Sequence, residues 1–192
     1  MSSVSRPAAA TSTVENLEIV PIGRQHIAGY RSALDGIAKE RRYLAMLEAP
    51  SFRRTRRFVL DSLRTGAVHV VAVADGGVVG WCDLRPKAAP TLRHTAVLGI
   101  GIVAGHRGRG IGSRLLATAL ELAPEHEIRR SELFVRSDNA AALALYRRCG
   151  FVAEGTCRNY MCINGVDHDA LLMARLSGDR NRSVQVTGPR AL

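Results

Sequence analysis

No apolar run in this chain approaches the roughly 20 residues needed to cross a bilayer. Residues 1–16, MSSVSRPAAATSTVEN, lack the apolar central stretch of a secretory signal. The expectation is a cytoplasmic protein with a disordered N-terminal tail over 1–16, no membrane partner and a flexible C-terminal tail over 177–192. No C-x-x-C pair occurs among Cys82, Cys149, Cys157 and Cys162, and no histidine follows at zinc-ligand spacing. Reduced core thiols and no metal are therefore expected. No repeat or low-complexity block interrupts the 192 residues, so residues 17–176 are read as one domain, long enough to bury a real core.

Positive charge, by contrast, is plentiful. The chain carries 27 basic against 17 acidic residues, a net charge of +10, and nearly all the basic residues are arginine. Such a balance suits a nucleic acid or a small anionic ligand such as a nucleotide. The densest cluster, Arg53-Arg54-Thr55-Arg56-Arg57, adjoins helix-like apolar sequence and contains no aromatic platform. It is read as a solvated helix face, and nucleic acid is not expected as the partner.

Periodicity sets the order of elements. Leu17–Val20 reads as a short strand, and apolar spacings of three and four from Gln25 to Leu63 predict two helices separated near Pro50 and Ser51. Val68–Ala74 and Val78–Leu84 flank the hairpin signal Asp75-Gly76-Gly77, and Thr95–Val103 follows as a long strand. A glycine-rich loop then opens a helix with Ile111, Leu115, Ala119 and Leu122 on one face, ended by Pro124. A strand at Ser131–Arg136 leads to a helix at Asn139–Arg148, stopped by Gly150, and two last strands flank Asn164-Gly165. The fold class is mixed α/β, in the order β-αα-βββ-α-β-α-ββ.

The stretch LGIGIVAGHRGRGIGSRLLATAL, residues 98–120, carries the strongest chemical signal. A strand runs into glycines at 108, 110 and 112, and a helix starts there. Helix N-termini present unpaired N–H groups and a partial positive charge, which favour phosphate. Arg107 and Arg109 add charge, so a diphosphate is the natural ligand. Gly99-x-Gly101-x-x-x-Gly105 resembles a dinucleotide fingerprint, but Gly99 and Gly101 lie inside the apolar run and the chain lacks regular βαβ alternation.

Arg107-x-x-Gly110-x-Gly112, after a strand and opening a helix, resembles the acetyl-CoA loop of the GNAT superfamily of N-acetyltransferases. Asn139-x-x-Ala142-x-x-x-Tyr146-x-x-x-Gly150-Phe151 resembles that family's second diagnostic helix, and the element order is similar over residues 17–176. The resemblance implies a single domain around a central, mostly antiparallel twisted sheet, with acetyl-CoA as acyl-donor cosubstrate. It implies that backbone groups at Ile100 and Ile102 pair with the pantetheine arm. The amides of Gly108, Arg109, Gly110, Ile111, Gly112 and Ser113 would cradle the pyrophosphate, Asn139 would bond to the arm, and Tyr146 would sit beside the thioester sulfur.

Acetyl transfer needs a neutral amine, an oxyanion stabiliser and a proton for the departing thiolate. A phenol with a pKa of roughly 10 can supply that proton, which makes Tyr146 the expected general acid. Asn139 and Tyr146 are seven positions apart on one helix, about 10 Å along its axis, so one can touch the arm while the other reaches the sulfur. A backbone N–H near Ile102 is the simplest oxyanion donor. In ribosomal-protein alanine acetyltransferases of this superfamily a Glu stands five residues before the motif's Asn, where this chain has Phe134. Glu40, Asp83, Glu132, His94, His168 and a water chain all stay open as the base.

Ala38–Ala45 and Glu154-Gly155-Thr156-x-Arg158 resemble bacterial members that acetylate small amines or amino acids, so a small-molecule amine is the expected acceptor. A protein N-terminus or lysine is the alternative acceptor, and a non-catalytic acyl-CoA-binding module is the alternative of another class. Members of this fold often pair through their last strands, which implies a homodimer.

Overall fold

A computed structural model describes residues 16–178, so the segments read as tails fall almost wholly outside the described residues. Strand β1 (Glu18–Pro21) leads through a 3₁₀ turn into helix α1 (Ile27–Lys39), and a long loop joins it to α2 (Phe52–Thr65). Then come β2 (His69–Ala74), β3 (Gly77–Pro86), β4 (Thr95–Ile102), α3 (Ile111–Leu122), β5 (Arg130–Arg136), α4 (Ala140–Arg148), β6 (Val152–Ile163) and β7 (Val166–Leu176). Local chemistry explains the boundaries. Ser51 Oγ accepts the Arg54 N–H at the start of α2, and Gly66 ends that helix at φ 64°. Both tight hairpins use residues that tolerate positive φ: Asp75 and Gly76 at 49° and 75°, and Asn164 and Gly165 at 52° and 79°. Helix α3 stops at Leu122 and tightens into a 3₁₀ turn, Ala123–His126, because Pro124 has no N–H to continue the α ladder.

The strands form one seven-stranded sheet in the order β1-β2-β3-β4-β5-β7-β6. Every neighbouring pair is antiparallel except β4–β5, which is parallel and pairs only over Thr95–Val97 against Arg130–Glu132. Beyond Val97 and Glu132 the two strands separate, while β4 keeps β3 on its other edge up to Ile102 and β5 keeps β7 up to Arg136. The sheet is therefore open in its middle.

Helices cover both faces. Ile111, Leu115, Leu116 and Ala119 of α3 and Leu143 and Tyr146 of α4 pack on Val70, Ala72, Cys82, Leu84, Leu98, Leu133 and Val135. On the opposite face, Tyr30, Leu34 and Ile37 of α1 and Val59 of α2 pack on Val71 and Trp81. Strand alternation thus sends Cys82 and Leu84 to one face and Trp81 and Asp83 to the other. Among the described residues no helix is long and apolar enough to cross a membrane.

Candidate active site

The parting of β4 from β5 opens into a cleft of about 1120 Å³, walled by both helical layers and lined by Leu98–Ile102 of β4 and Leu133–Arg136 of β5. Val103 N–H donates back to Val79 of β3. Alternation along an antiparallel strand then turns the polar backbone groups of Ile100 and Ile102 toward the open edge. These are unpaired ladder groups of the kind an extended ligand can complete. The Ile102 carbonyl already accepts a 2.8 Å bond from Arg107 Nε.

At one end of the cleft the chain passes from β4 into α3 through Gly108 and Gly110, both left-handed at φ 74° and 77°. Among the described residues no acceptor is found for any amide from Gly108 to Ser113; the first helical bond is Arg114 N–H to Gly110 O. Gly108, Gly110, Gly112 and Ser113 line the cleft. A side chain at Gly110 or Gly108 would meet no protein atom within 4 Å, so the space above the loop is open. Consecutive free amides at a helix N-terminus suit a diphosphate, and these residues fit the phosphate end of acetyl-CoA. Arg107 lies in a two-pronged ion pair with Glu40, at 2.8 and 2.6 Å, tying the glycine-rich loop to the end of α1.

Asn139 and Tyr146 both line the cleft from α4. Asn139 is the helix N-cap: its Oδ1 accepts the Ala142 N–H at 3.2 Å, which leaves the side-chain N–H donors for another partner. Tyr146 is buried, packs on Phe151 with ring centroids 5.8 Å apart, and has its phenol pushed well up by burial and then by the neighbouring Cys82. It remains protonated through the neutral range.

The base candidates separate cleanly. Glu40 is held by Arg107, outside the cleft lining. Glu132 contacts Lys87 at 2.6 Å and Arg130 at 3.1 Å; burial pushes its carboxyl up, but these two cations outweigh that and hold it below the usual range. His94 lines a separate, smaller cavity with Arg93 and Arg129, and His168 lies on β7 outside the cleft lining. Asp83 alone of the five lines the cleft. Phe134 also lines it, stacked on Tyr160 at 4.6 Å.

Around Asp83 the structure gathers residues that the sequence did not single out. Tyr30 meets Trp81 edge-on at 5.5 Å and His69 at 5.0 Å, and Phe58 lies 5.5 Å from His69. The loop between α1 and α2 roofs this chamber. Asp35 Oδ1 accepts the Ala49 N–H, Arg31 Nε donates to Pro50 O, and buried Arg136 donates to Arg42 O at 2.7 Å. Tyr43 lies 5.0 and 5.5 Å from the Arg42 and Arg136 guanidinium carbons. Gly99 and Gly101, which resemble a dinucleotide fingerprint in sequence, leave room for side chains of β3. A Cβ at Gly101 would stand 2.2 Å from Trp81, and one at Gly99 would stand 2.8 Å from Asp83 Oδ1. Arg53, Arg54, Arg56 and Arg57 are exposed on α2, and Arg54 reaches the cleft lining. Among the described residues no cluster of three His, Cys, Asp or Glu could hold a metal.

Comparison with known proteins agrees with this geometry. A sequence model of the acetyltransferase (GNAT) family matches residues 37–151. The chain is 36% identical over 114 residues to the L-amino acid N-acetyltransferase AaaT of Escherichia coli (strain K12), covering 59% of this chain and 70% of that protein. It is 39% identical over 112 residues to the N-alpha-acetyltransferase RimI of Mycobacterium tuberculosis, covering 58% of this chain and 68% of that protein. Among solved structures, a GNAT-family acetyltransferase from Streptococcus pneumoniae superposes with a TM-score of 0.79 at 26% identity, over 84% of this chain and 100% of that one. The fold is also that of yncA from Salmonella typhimurium, solved with its cofactor acetyl-CoA, with a TM-score of 0.79 at 16% identity over 83% of this chain and 93% of that one.

Proposed function

Because this chain belongs to the acetyltransferase (GNAT) family, we propose that it transfers the acetyl group of acetyl-CoA to the primary amine of a small molecule or amino acid, with Tyr146 as general acid. The observation that carries this is the junction of two features. The open edge of β4 ends in the unpartnered amides of Gly108–Ser113, and Tyr146 faces the same cleft. The pyrophosphate lies on those amides, the pantetheine arm completes the ladder at Ile100 and Ile102, and the thioester is thereby brought beside α4. The amine attacks the thioester carbon, the C–N bond forms and the C–S bond breaks. The departing thiolate takes the Tyr146 proton, which solvent later restores. Asn139 binds the arm through its free N–H donors, while Arg109 adds charge at the phosphates. Arg107 contributes to that end by holding the loop to Glu40 and to Ile102.

The relatives' names point to two acceptor classes, an amino acid and a protein N-terminus. The chamber under the roof loop, walled by Tyr30, Phe58 and Trp81, favours the smaller. The cofactor assignment is tested by thermal unfolding with acetyl-CoA, CoA and NADPH. A ligand at a hundredfold excess over its dissociation constant adds about 2.7 kcal/mol, a shift of several degrees. Acetyl-CoA and CoA are expected to give it and NADPH none; no shift with acetyl-CoA would remove the cofactor site.

A further inference from the structure

We propose that Asp83 takes the proton from the acceptor amine, and that it acts across the sheet from Tyr146 on an apolar primary amine bound in the aromatic chamber. The inference rests on the acetyltransferase reading and adds the base that reading leaves unassigned.

Three observations carry it. First, the topology places acid and base on opposite faces at neighbouring rungs. Cys82 pairs with Ile100 and points toward Tyr146, whereas Asp83, the next residue, pairs with Gly99 and points to the α1/α2 side. A thioester lying in the gap beside β4 would have Tyr146 on one side and Asp83 on the other. Second, the carboxylate is built in rather than incidental. It is 5% exposed, and Gly99 supplies the space its Oδ1 occupies. Oδ2 has no aligned hydrogen bond even though Arg85 Nε stands 2.9 Å away. Third, Tyr30, Phe58 and Trp81 wall the chamber around Asp83, whereas the cleft's other carboxylate, Asp138, is paired with Arg136. An amine entering as a cation therefore meets the Asp83 carboxylate beside Arg85, and transfer of its proton to that group leaves both neutral. Burial raises the Asp83 carboxyl to about 6, against the pull of Arg85 and Trp81, close to the range where a base works at neutral pH. The ionisable groups on its side of the sheet are Arg85 of β3, Tyr30 of α1 and His69 of β2, with Arg54 of α2, Arg42 and Tyr43 of the roof loop, Arg136 of β5 and Asp138 lining the same cleft, while Cys82 acts on it from the opposite face.

The protons balance. The ammonium loses one to Asp83, and the amine so formed attacks. After C–S cleavage Tyr146 gives its proton to the thiolate. The proton left on the newly acylated nitrogen goes to solvent as Tyr146 is restored. One net proton is released per turnover, from Asp83.

The test compares wild type with Asp83→Asn on benzylamine and aniline, amines of similar size of which only the first is protonated at neutral pH. With benzylamine at pH 7 the variant is expected to lose about 100-fold in kcat, regaining rate as pH rises and the amine deprotonates in solution. With aniline the loss is expected to stay below about fivefold. Equal losses on both amines, or none on either, would overturn the assignment. Turnover of neither amine by wild type would overturn the apolar-amine chamber. The acetyl-CoA thermal shift, measured on both proteins, separates these outcomes. If it is present in both, the cofactor site stands whatever the rates show; if it is absent in wild type, the acetyltransferase reading fails instead.

Discussion

Under α3 and α4 the sheet buries Cys82, Leu84, Leu98, Leu133 and Val135, and Tyr146 lines the cleft from that layer, with Asn139 and Ser113 at the helix starts. Under α1 and α2 it buries His69 and Asp83 among Tyr30, Phe58 and Trp81; neither His69 nitrogen finds a hydrogen-bond partner among the described residues, and Asp83 Oδ2 has only the Arg85 guanidinium beside it. The first side offers a ligand mainly backbone: the amides of Gly108–Ser113 and the free edge of β4. Backbone recognition of the kind proposed leaves the side chains free to make an ordinary core. On the proposed reading the second side recognises and deprotonates an acceptor with side chains, which accounts for desolvated titratable groups that an apolar core would not hold.

Tyr146→Phe should break the catalytic half of this contrast and spare the rest. The ring is buried and packs on Phe151, and removing the hydroxyl alone keeps that packing. A kcat loss of about 100-fold or more, with the acetyl-CoA thermal shift unchanged, is expected from CoA-release kinetics and unfolding curves. An unchanged kcat would mean that the thiolate finds its proton elsewhere. Gly110→Val tests the backbone half. Valine at φ 77° is strained by about 2 kcal/mol, and relieving that strain turns the loop amides away from the phosphates. Acetyl-CoA affinity measured by calorimetry should fall about 30-fold, since 1.4 kcal/mol is a factor of ten. Native affinity in this variant would show that the loop amides do not hold the ligand.

The same contrast explains what could be read from the chain alone. The phosphate loop and α4 are contiguous motifs whose meaning lies in spacing, so Arg107–Gly112 and Asn139–Tyr146 stand out in sequence. So do the hairpins at Asp75-Gly76 and Asn164-Gly165, where backbone conformation restricts residue choice locally. The parting of β4 from β5 leaves no such mark, because it depends on how a parallel pair ends after Val97. The acceptor chamber is harder still: Tyr30, His69 and Asp83 come from three elements and meet only through sheet register and helix packing. Even so, one signal was present. Glycine is unusual inside an apolar strand and often marks close approach by other atoms. Gly99 and Gly101 mark the places where Asp83 and Trp81 lie across β4.

The buried pair also shapes the pH dependence of stability, and separating its members is the finest test of the contrast. Burial, partly offset by Arg85 and Trp81, raises Asp83 from the ordinary 3.8 to about 6. Its contribution is therefore fully present below pH 3.8 and lost as pH rises through 6. His69 is lowered from 6.5 to about 4 by burial and then by Arg85. Its contribution is present above pH 6.5 and lost as pH falls through 4. Over the shared window the two slopes oppose each other, so the pair's own contribution to the stability profile nearly cancels. Asp83→Asn removes the acid's slope and exposes the histidine's. Denaturant unfolding of the variant should then show a loss from pH 7 to pH 5 that exceeds the wild-type loss by about 1–2 kcal/mol. At pH 7 the same variant should be more stable than wild type, because an ionised carboxylate no longer has to be kept out of water. A variant less active and more stable at neutral pH is what a base held at a cost to the fold predicts. If the variant's profile matches that of wild type, the Asp83 carboxyl is not raised by its burial and the polar side of the sheet is better hydrated than its packing implies.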